Sequence, residues 1–485
     1  MLGLSEATDP TTRGSYRKHP LHVTKSNPYA DSPLLPVKHE IKGTDTNSVI
    51  LFKGVTVLDS TGREPFPGDV LIRGERIVKV ARKIDEGKVK ETDPQIRVIE
   101  GKGRTLMSGL CDSHTHLSWN NSPDLESLGY LPPEEHTIFA IRAARTYLDS
   151  GYTMCFGAAS AKARLDCVVR DAINAGDIAG PRYLANAQEI ARRDGALIDS
   201  ISAFADGPEE MRLAVLKNIA LGADQVKLSM SGESITEKVM ADENFFTDEE
   251  TKAACEAAHE QGKRVCSHAR SVDSVKMSAR WGVDVIYHAS FTDEETLDLL
   301  QSKKDRIWVA PAINWITETL TSAAEWGCTP EHAEEIGYKY ELEEAIKSMK
   351  AMKARGIKLL PGGDYGFAWT PHGTYARDLE HFVNLFDFTP MEAIIAATAL
   401  GGDLFMRPHE LGKVLPGYYA DLILVDGNPL EDIRILQDRN KLHYILINGR
   451  VHKSHPNDNM APVPPVAGKD KDSVIVPNGT FALQM

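Results

Sequence analysis

The chain lacks the features that mark membrane, secreted and nucleic-acid-binding proteins. Its 485 residues contain no apolar run near the roughly 18 needed to span a bilayer. The opening stretch MLGLSEATDPTTRGSYRKHP is polar and broken by Pro10, without the apolar core of a secretory leader. It begins Met-Leu rather than Met-Gly, so the N-myristoylation signal is missing as well. Cysteine is scarce. Cys111, Cys155, Cys167, Cys255, Cys266 and Cys328 are scattered and form no C-x-x-C pair, which argues against a disulfide framework and for reduced cytoplasmic thiols. Basic residues are outnumbered, 55 Lys and Arg against 69 Asp and Glu, and the net charge of −14 is the wrong sign for a duplex-DNA binder. With 42% hydrophobic and 26% charged residues, a mainly disordered chain is excluded too. The expectation is a folded cytoplasmic protein with neither a membrane nor a nucleic-acid partner.

What is present has three textures. Residues 1–48 follow neither hydrophobic period and read as an N-terminal arm, ordered by docking on a second subunit through Leu34, Leu35, Pro36 and Val37. Residues 49–108 are β-rich, with alternating runs such as SVILFKGVTVLD and GDVLIRGERIVKVA. The β texture returns at 412–455, in GKVLPGYYADLILVD and KLHYILINGRVHK, and each block is too small to bury a core alone. Between them, residues 109–411 alternate short apolar strands with helices. The eight strands lie in TLMSGLCDSHTH, GYTMCFGA, PRYLANA, ADQVKLSM, KRVCSHA, VDVIYHA, DRIWVAPA and IKLLPGGD. Capping boxes at Thr247/Glu250 and Thr292/Glu295, an N-cap at Ser271 and a closing Gly282 mark helices between strands. Eight βα units predict an α/β fold, a (β/α)8 TIM barrel, with a small β-sandwich built from both flanks. Residues 456–485 read as a C-terminal tail.

The chemistry gathers at the strand ends. His114 and His116 lie two positions apart on a strand, so both imidazoles project from one face at the barrel mouth, where two neutral imidazoles can take a divalent metal. The fourth strand ends with Lys227, the fifth with His268, the sixth with His288 and the eighth with Asp364. A free lysine repels a cation. Carbamylated by carbon dioxide, Lys227 becomes an anion able to bridge two metals sharing a hydroxide, with Asp364 as the group that takes and returns the proton. The plainer alternative pairs Lys227 with Glu233 or Asp364.

The order H-x-H, Lys, His, His, Asp, closed by GKVLPGYYADLILVDGNPLEDI and ILINGRVHK, resembles the metal-dependent amidohydrolase superfamily over about residues 49–455. It is most similar to the imidazolonepropionase-like and Xaa-Pro dipeptidase-like group, which includes fungal ochratoxinase. The resemblance implies one metal on His114, His116 and Asp364, a second on His268 and His288, and carboxylated Lys227 bridging them, with zinc as the expected element. Gly363 departs from the pattern, since relatives often carry Thr before the aspartate.

Trp119, Trp315, Phe367 and Trp369 follow strand ends and suit a flat substrate. Arg270, or Arg192 and Arg193, could meet a substrate carboxylate, and His136 and His372 are loop candidates for polarising a carbonyl. Cys111 and Cys266 are read as core, on the strand face opposite the ligands. The leading function is binuclear hydrolysis of an amide in an N-acyl amino acid, dipeptide or aromatic amide, ochratoxin-like or Xaa-Pro-like, by a homo-oligomer. The alternatives are a mononuclear deaminase or decarboxylase with Lys227 free, and a non-catalytic scaffold, against which the complete ligand set argues.

Overall fold

Two β-rich runs from opposite ends of the chain meet in one sheet. The computed structural model describes residues 41–455 except 44, 196, 237 and 238. The arm positions Leu34, Leu35, Pro36 and Val37, and the tail from 456, lie outside the described residues. In the strand Val49–Leu58 alternate side chains serve opposite faces: Ile50 and Phe52 join one apolar cluster, Val49 and Leu51 another. That strand pairs antiparallel with Phe66–Arg73 and parallel with Arg97–Glu100 and Thr105–Ser108. Thr105–Ser108 then pairs antiparallel with Leu422–Val425, placing Leu106 opposite Leu424. Leu442–Ile447 and Arg450–Lys453 complete that edge. The flanks share a single eight-stranded sheet.

Between the flanks run eight parallel strands in the expected order: Leu110–Thr115, Tyr152–Gly157, Arg182–Leu184, Gln225–Ser229, Arg264–Ala269, Val285–His288, Trp308–Ala310 and Lys358–Leu359. The first three form one ladder and the last five belong to another. Single backbone bonds cross the gaps: Asp224 N–H donates to Ala185 O at 2.8 Å, and Ser113 N–H to Pro361 O at 3.1 Å. Along these strands Val226, Val265, Ile286 and Val309 pack towards the helices, while Cys266, Tyr287 and Trp308 join a second cluster with Phe156. Both faces are covered, as a parallel sheet requires.

The helix signals hold with one exception. Thr247 and Glu250 form a reciprocal capping box, Ser271 caps Val272–Trp281, and Gly282 closes that helix at φ +95°. The box expected from Thr292 and Glu295 does not form. Asp293 is the N-cap of Glu294–Ser302 and accepts Thr296 N–H at 2.8 Å, while the Thr292 hydroxyl pairs with Ser348 at 2.8 Å. A carboxylate one residue nearer the helix is the better acceptor for its unpaired N–H groups.

At the opposite end of the strands from the site, His259 Nε2 lies 3.0 Å from Asp284 Oδ2, which also accepts Val265 N–H. Burial would lower the His259 pKa, but the bond to Asp284 and its charge outweigh that and raise it. A histidine raised in the folded state adds stability below its unfolded pKa, and that stability is lost as pH rises through the folded pKa. His259→Gln is therefore expected to depress Tm more at pH 6 than at pH 8.5. Equal depressions in thermal melts at the two pH values would contradict this.

Candidate metal centre

The first parallel strand sets the site. Asp112, His114 and His116 alternate along Leu110–Thr115 and the residue after it, and all three are buried. Asp112 accepts the Tyr147 hydroxyl at 2.7 Å and the His114 backbone N–H at 2.8 Å, fixing the strand end. Its carboxyl is pushed up to about 6, chiefly by burial. The His114 ring stacks on Tyr287 at 3.8 Å and that of His116 on Trp119 at 4.1 Å, so neither imidazole can swing freely.

The later strand ends converge on this pair. Asp364 Oδ1 stands 3.1 Å from His116 Nε2 and 3.7 Å from His114 Nε2. These three residues can present ligand atoms within 4.8 Å of one another. Lys227 Nζ lies 3.5 Å from His114 Nε2 and 4.9 Å from the Tyr287 ring centre. The His288 ring centre is 4.4 Å from that of His268 and 5.3 Å from that of His114. Two ligand-type residues sit on left-handed backbone, His288 at φ +70° and Asp364 at φ +59°. Such conformations in non-glycine residues persist where surrounding structure imposes them, commonly at functional sites.

Hydrogen bonds choose the free ring nitrogens. His116 Nδ1–H donates to Ala159 O at 3.1 Å, leaving Nε2 turned towards Asp364. His268 Nε2–H donates to Gly232 O at 3.1 Å, leaving Nδ1. A carbonyl on the second nitrogen is the usual way a metal-binding imidazole is oriented. Burial holds His114, His268 and His288 well below the usual histidine pKa, hence neutral. Burial alone would raise Asp364, but positive charge on the groups facing it, His114 and His116 when protonated and Lys227, brings it well below the usual carboxylate range. Both nitrogens of His288 and Nδ1 of His114 are buried without a hydrogen-bond partner among the described residues. Neutral imidazoles with unpaired nitrogens beside an ionised carboxylate fit a divalent ion of the borderline class.

Other expected residues fall elsewhere. Arg270 is fully buried between Glu233 and Glu341, with Nη1 at 2.6 Å from Glu341 and Nη2 bonded to Glu233. Its guanidinium is therefore already paired rather than free for a substrate carboxylate. Glu233 is thus engaged by Arg270 and Tyr338, and the carboxylate that lies beside Lys227 is Glu189, at 3.8 Å. His136 lies in the helix Pro133–Asp149 rather than a loop, and its Nε2–H donates to Ser118 O at 2.6 Å. His372 has both nitrogens engaged, with Trp119 O at 2.5 Å and the Tyr375 hydroxyl at 3.1 Å, and burial lowers it to about 4. Arg192 and Arg193 pair with Asp194, Glu250, Asp206 and Glu210.

Trp315, Phe367 and Trp369 form one cluster, with Trp315 ring centres 4.2 and 5.2 Å from the other two. Cys266 stands two residues before His268, so period-2 geometry puts it on the same strand face, one layer deeper, and not on the opposite one. Cys111 is core, as expected. Sequence reasoning missed Asp112, Tyr287 and Glu189. The first could have been found, being i−2 to His114. Glu189 carries no spacing signal, since it sits in the connection after the third strand.

Residues 105–452 match the amidohydrolase family. The chain is 26% identical over 444 residues to ochratoxinase of Aspergillus niger, covering 85% of this chain and 88% of that protein. It is 26% identical over 424 residues to imidazolonepropionase of Anaeromyxobacter dehalogenans, covering 80% and 91%. Among solved structures, A. niger ochratoxinase superposes with a TM-score of 0.74 at 24% identity, over 88% of this chain and 99% of the other. A Xaa-Pro dipeptidase with bound methionine superposes equally well, TM-score 0.74 at 24% identity, over 84% and 100%.

Proposed function

This chain belongs to the amidohydrolase family and is a hydrolase acting on carbon–nitrogen bonds, and from that premise we propose that it cleaves an amide at a centre of two divalent metals. The substrate class is an N-acyl amino acid, dipeptide or aromatic amide. One observation carries the reading: ligand atoms of His114, His116 and Asp364 lie within 4.8 Å, beside the close pair His268 and His288. In this reading His114, His116 and Asp364 would hold one ion and His268 and His288 the other, with carboxylated Lys227 as a further ligand and zinc as the element.

When bound, the ions would polarise the scissile carbonyl and make water a competent nucleophile near neutral pH. Asp364, anionic near neutral pH, takes a proton from the attacking water and delivers it to the departing amide nitrogen. One water is consumed, and a carboxylate and an amine leave. The rings of Trp315 and Phe367 supply an apolar wall for the acyl or aryl part.

The same reading takes the eight parallel strands as one closed barrel, supported by the single bonds across its gaps, and the shared sheet as a sandwich domain. It includes a homo-oligomer, supported by Ile138 and Phe139, 53% and 40% exposed on the helix Pro133–Asp149. Cys111, Cys155, Cys167, Cys255 and Cys266 are buried thiols outside any disulfide, which favours a reducing, cytoplasmic setting.

Purified protein is expected to carry about two divalent ions per chain and to lose amide hydrolysis on chelation, with recovery on adding zinc. Lys227→Ala should lose the second ion and most activity. Elemental analysis and a panel of N-acyl amino acids, dipeptides and aryl amides with mass-spectrometric product identification provide the test. The Lys227–Glu189 pair favours a second reading, a one-metal deaminase with an unmodified lysine. A single ion in fully active protein, with ammonia released, would select it.

A further inference from the structure

The loop that delivers Asp364 is restrained from both sides. Asp364 itself holds φ +59°, a conformation its surroundings must impose. Ahead of it, the Ser113 hydroxyl donates to Pro361 O at 2.7 Å, and buried Asp378 accepts Gly362 N–H at Oδ2 at 2.8 Å. Neither Gly362 nor Gly363 has positive φ. What excludes side chains there is the neighbours. A Cβ on Gly362 would come within 2.6 Å of Ser113 Oγ and 2.7 Å of His114 N, and one on Gly363 within 2.5 Å of the Tyr365 ring. Tyr365 is fully buried, donates its hydroxyl to Tyr375 O at 3.0 Å, and meets the Tyr375 ring edge-on at 5.1 Å.

We propose that Tyr365 and Asp378 are positioning residues for Asp364. The Tyr365 ring fills the space a side chain at 363 would take and fixes the left-handed turn, while Asp378 pins the amide two residues ahead. This rests on Asp364 being a metal ligand. Both residues act through it: Asp378 holds the strand-to-loop path in place, and Tyr365 prevents the carboxylate from rotating away from His114 and His116. Because Gly363 is kept small by a side chain and not by its backbone angle, the defect caused by enlarging it should be repaired by shrinking Tyr365. A merely structural role does not require that.

The test measures zinc affinity by competition with a chromophoric chelator, together with kcat and KM of the zinc-saturated enzyme. Gly363→Ala is expected to weaken zinc binding by roughly 10–100-fold, the range seen when outer support of a ligand is lost, and to lower kcat with KM within about twofold. Gly363→Ala/Tyr365→Leu should recover most of both losses, because the alanine methyl then occupies the volume the ring gives up, whereas Tyr365→Leu alone leaves that volume empty and should weaken zinc binding as Gly363→Ala does. Asp378→Asn, whose amide oxygen can still accept Gly362 N–H, should bind zinc within about threefold of wild type, and Asp378→Leu should fall with Gly363→Ala. The proposal is overturned if folded Gly363→Ala keeps wild-type zinc affinity, or if the double variant is as defective as the single. It is equally overturned if Asp378→Asn is as defective as Asp378→Leu. Should Asp378→Leu not fold, the Gly363 and Tyr365 pair decides. Asp364→Ala separates the premise from the inference. If it binds zinc normally, the reading of the site fails and the proposal with it. If it loses zinc while Gly363→Ala does not, the positioning role alone is refuted.

Discussion

Asp364→Asn is expected to slow kcat by about 10²–10⁴-fold, the range for removing a general base, while leaving the fold and much of the bound metal in place. The carboxylate lies 3.1 Å from His116 and 3.7 Å from His114 and sits well below the usual carboxylate range, so it is ionised and open to a proton at any assay pH near neutrality. An amide has nearly the same shape and can still turn an oxygen to the same place. It has no basic site for the proton of the attacking water. Loss in kcat with KM little changed is the pattern of an interaction made in the transition state. Steady-state kinetics on zinc-reconstituted protein, with metal content and circular dichroism as controls, measure this. A variant retaining near wild-type kcat would take the proton-carrying role away from Asp364. Glu189 would then be the next residue to test, because it lies 3.8 Å from Lys227 in the same site.

Arg182→Met is expected to cost about 3–5 kcal/mol of stability, the range for breaking a buried ion pair on one side. Arg182 leaves the third parallel strand and reaches the sheet made by the two flanks. Its Nε bonds Asp421 at 2.6 Å and its Nη2 bonds Asn448 Oδ1 at 2.6 Å, while the Tyr419 ring covers the guanidinium at 4.0 Å. Asp421 also accepts Asn448 N–H at 2.6 Å, and Asn448 Nδ2–H donates to Ile41 O at 3.1 Å. Both charged side chains are under 5% exposed. Methionine preserves the apolar stem but strands the Asp421 carboxylate away from water. Removing both charges, as Arg182→Met/Asp421→Leu, should therefore be milder than removing one. Urea unfolding of Arg182→Met, Asp421→Leu and the double variant checks this. A double variant whose loss equals the sum of the two single losses would mean that the pair contributes little by its charges.

Periodicity made much of the parallel strands and of the candidate site legible. Cys266 and His268, or Val285 and Tyr287, alternate within runs of only four to six residues, and such runs recur between amphipathic helices with readable caps. The H-x-H spacing of His114 and His116 needs only strand geometry to put both rings on one face. Capping was less secure where two acceptors stood side by side: Thr292 fits the capping-box spacing, but the Asp293 carboxylate one residue nearer the helix takes the cap and the Thr292 hydroxyl pairs with Ser348.

Residue type and local spacing were enough by themselves to determine the alternation of strands and helices, the candidate ligands and the sign of the protein's charge. Those properties depend on a few neighbouring residues and survive without knowing what lies across the chain. Tertiary structure alone decided which charges remain available. Arg270 was legible as a cation near the site, yet whether it can meet a substrate depends on Glu233 and Glu341, 37 and 71 residues away, which already pair with it. Glu189 comes beside Lys227 because two connections bring separate strand ends together, and no spacing in the sequence records that distance. Burial makes His114, His268 and His288 neutral, and a turn packed against Tyr365 holds Asp364 in its left-handed conformation. Pairing, desolvation and close packing are set by atoms far apart along the chain, and they become definite only once the chain has folded.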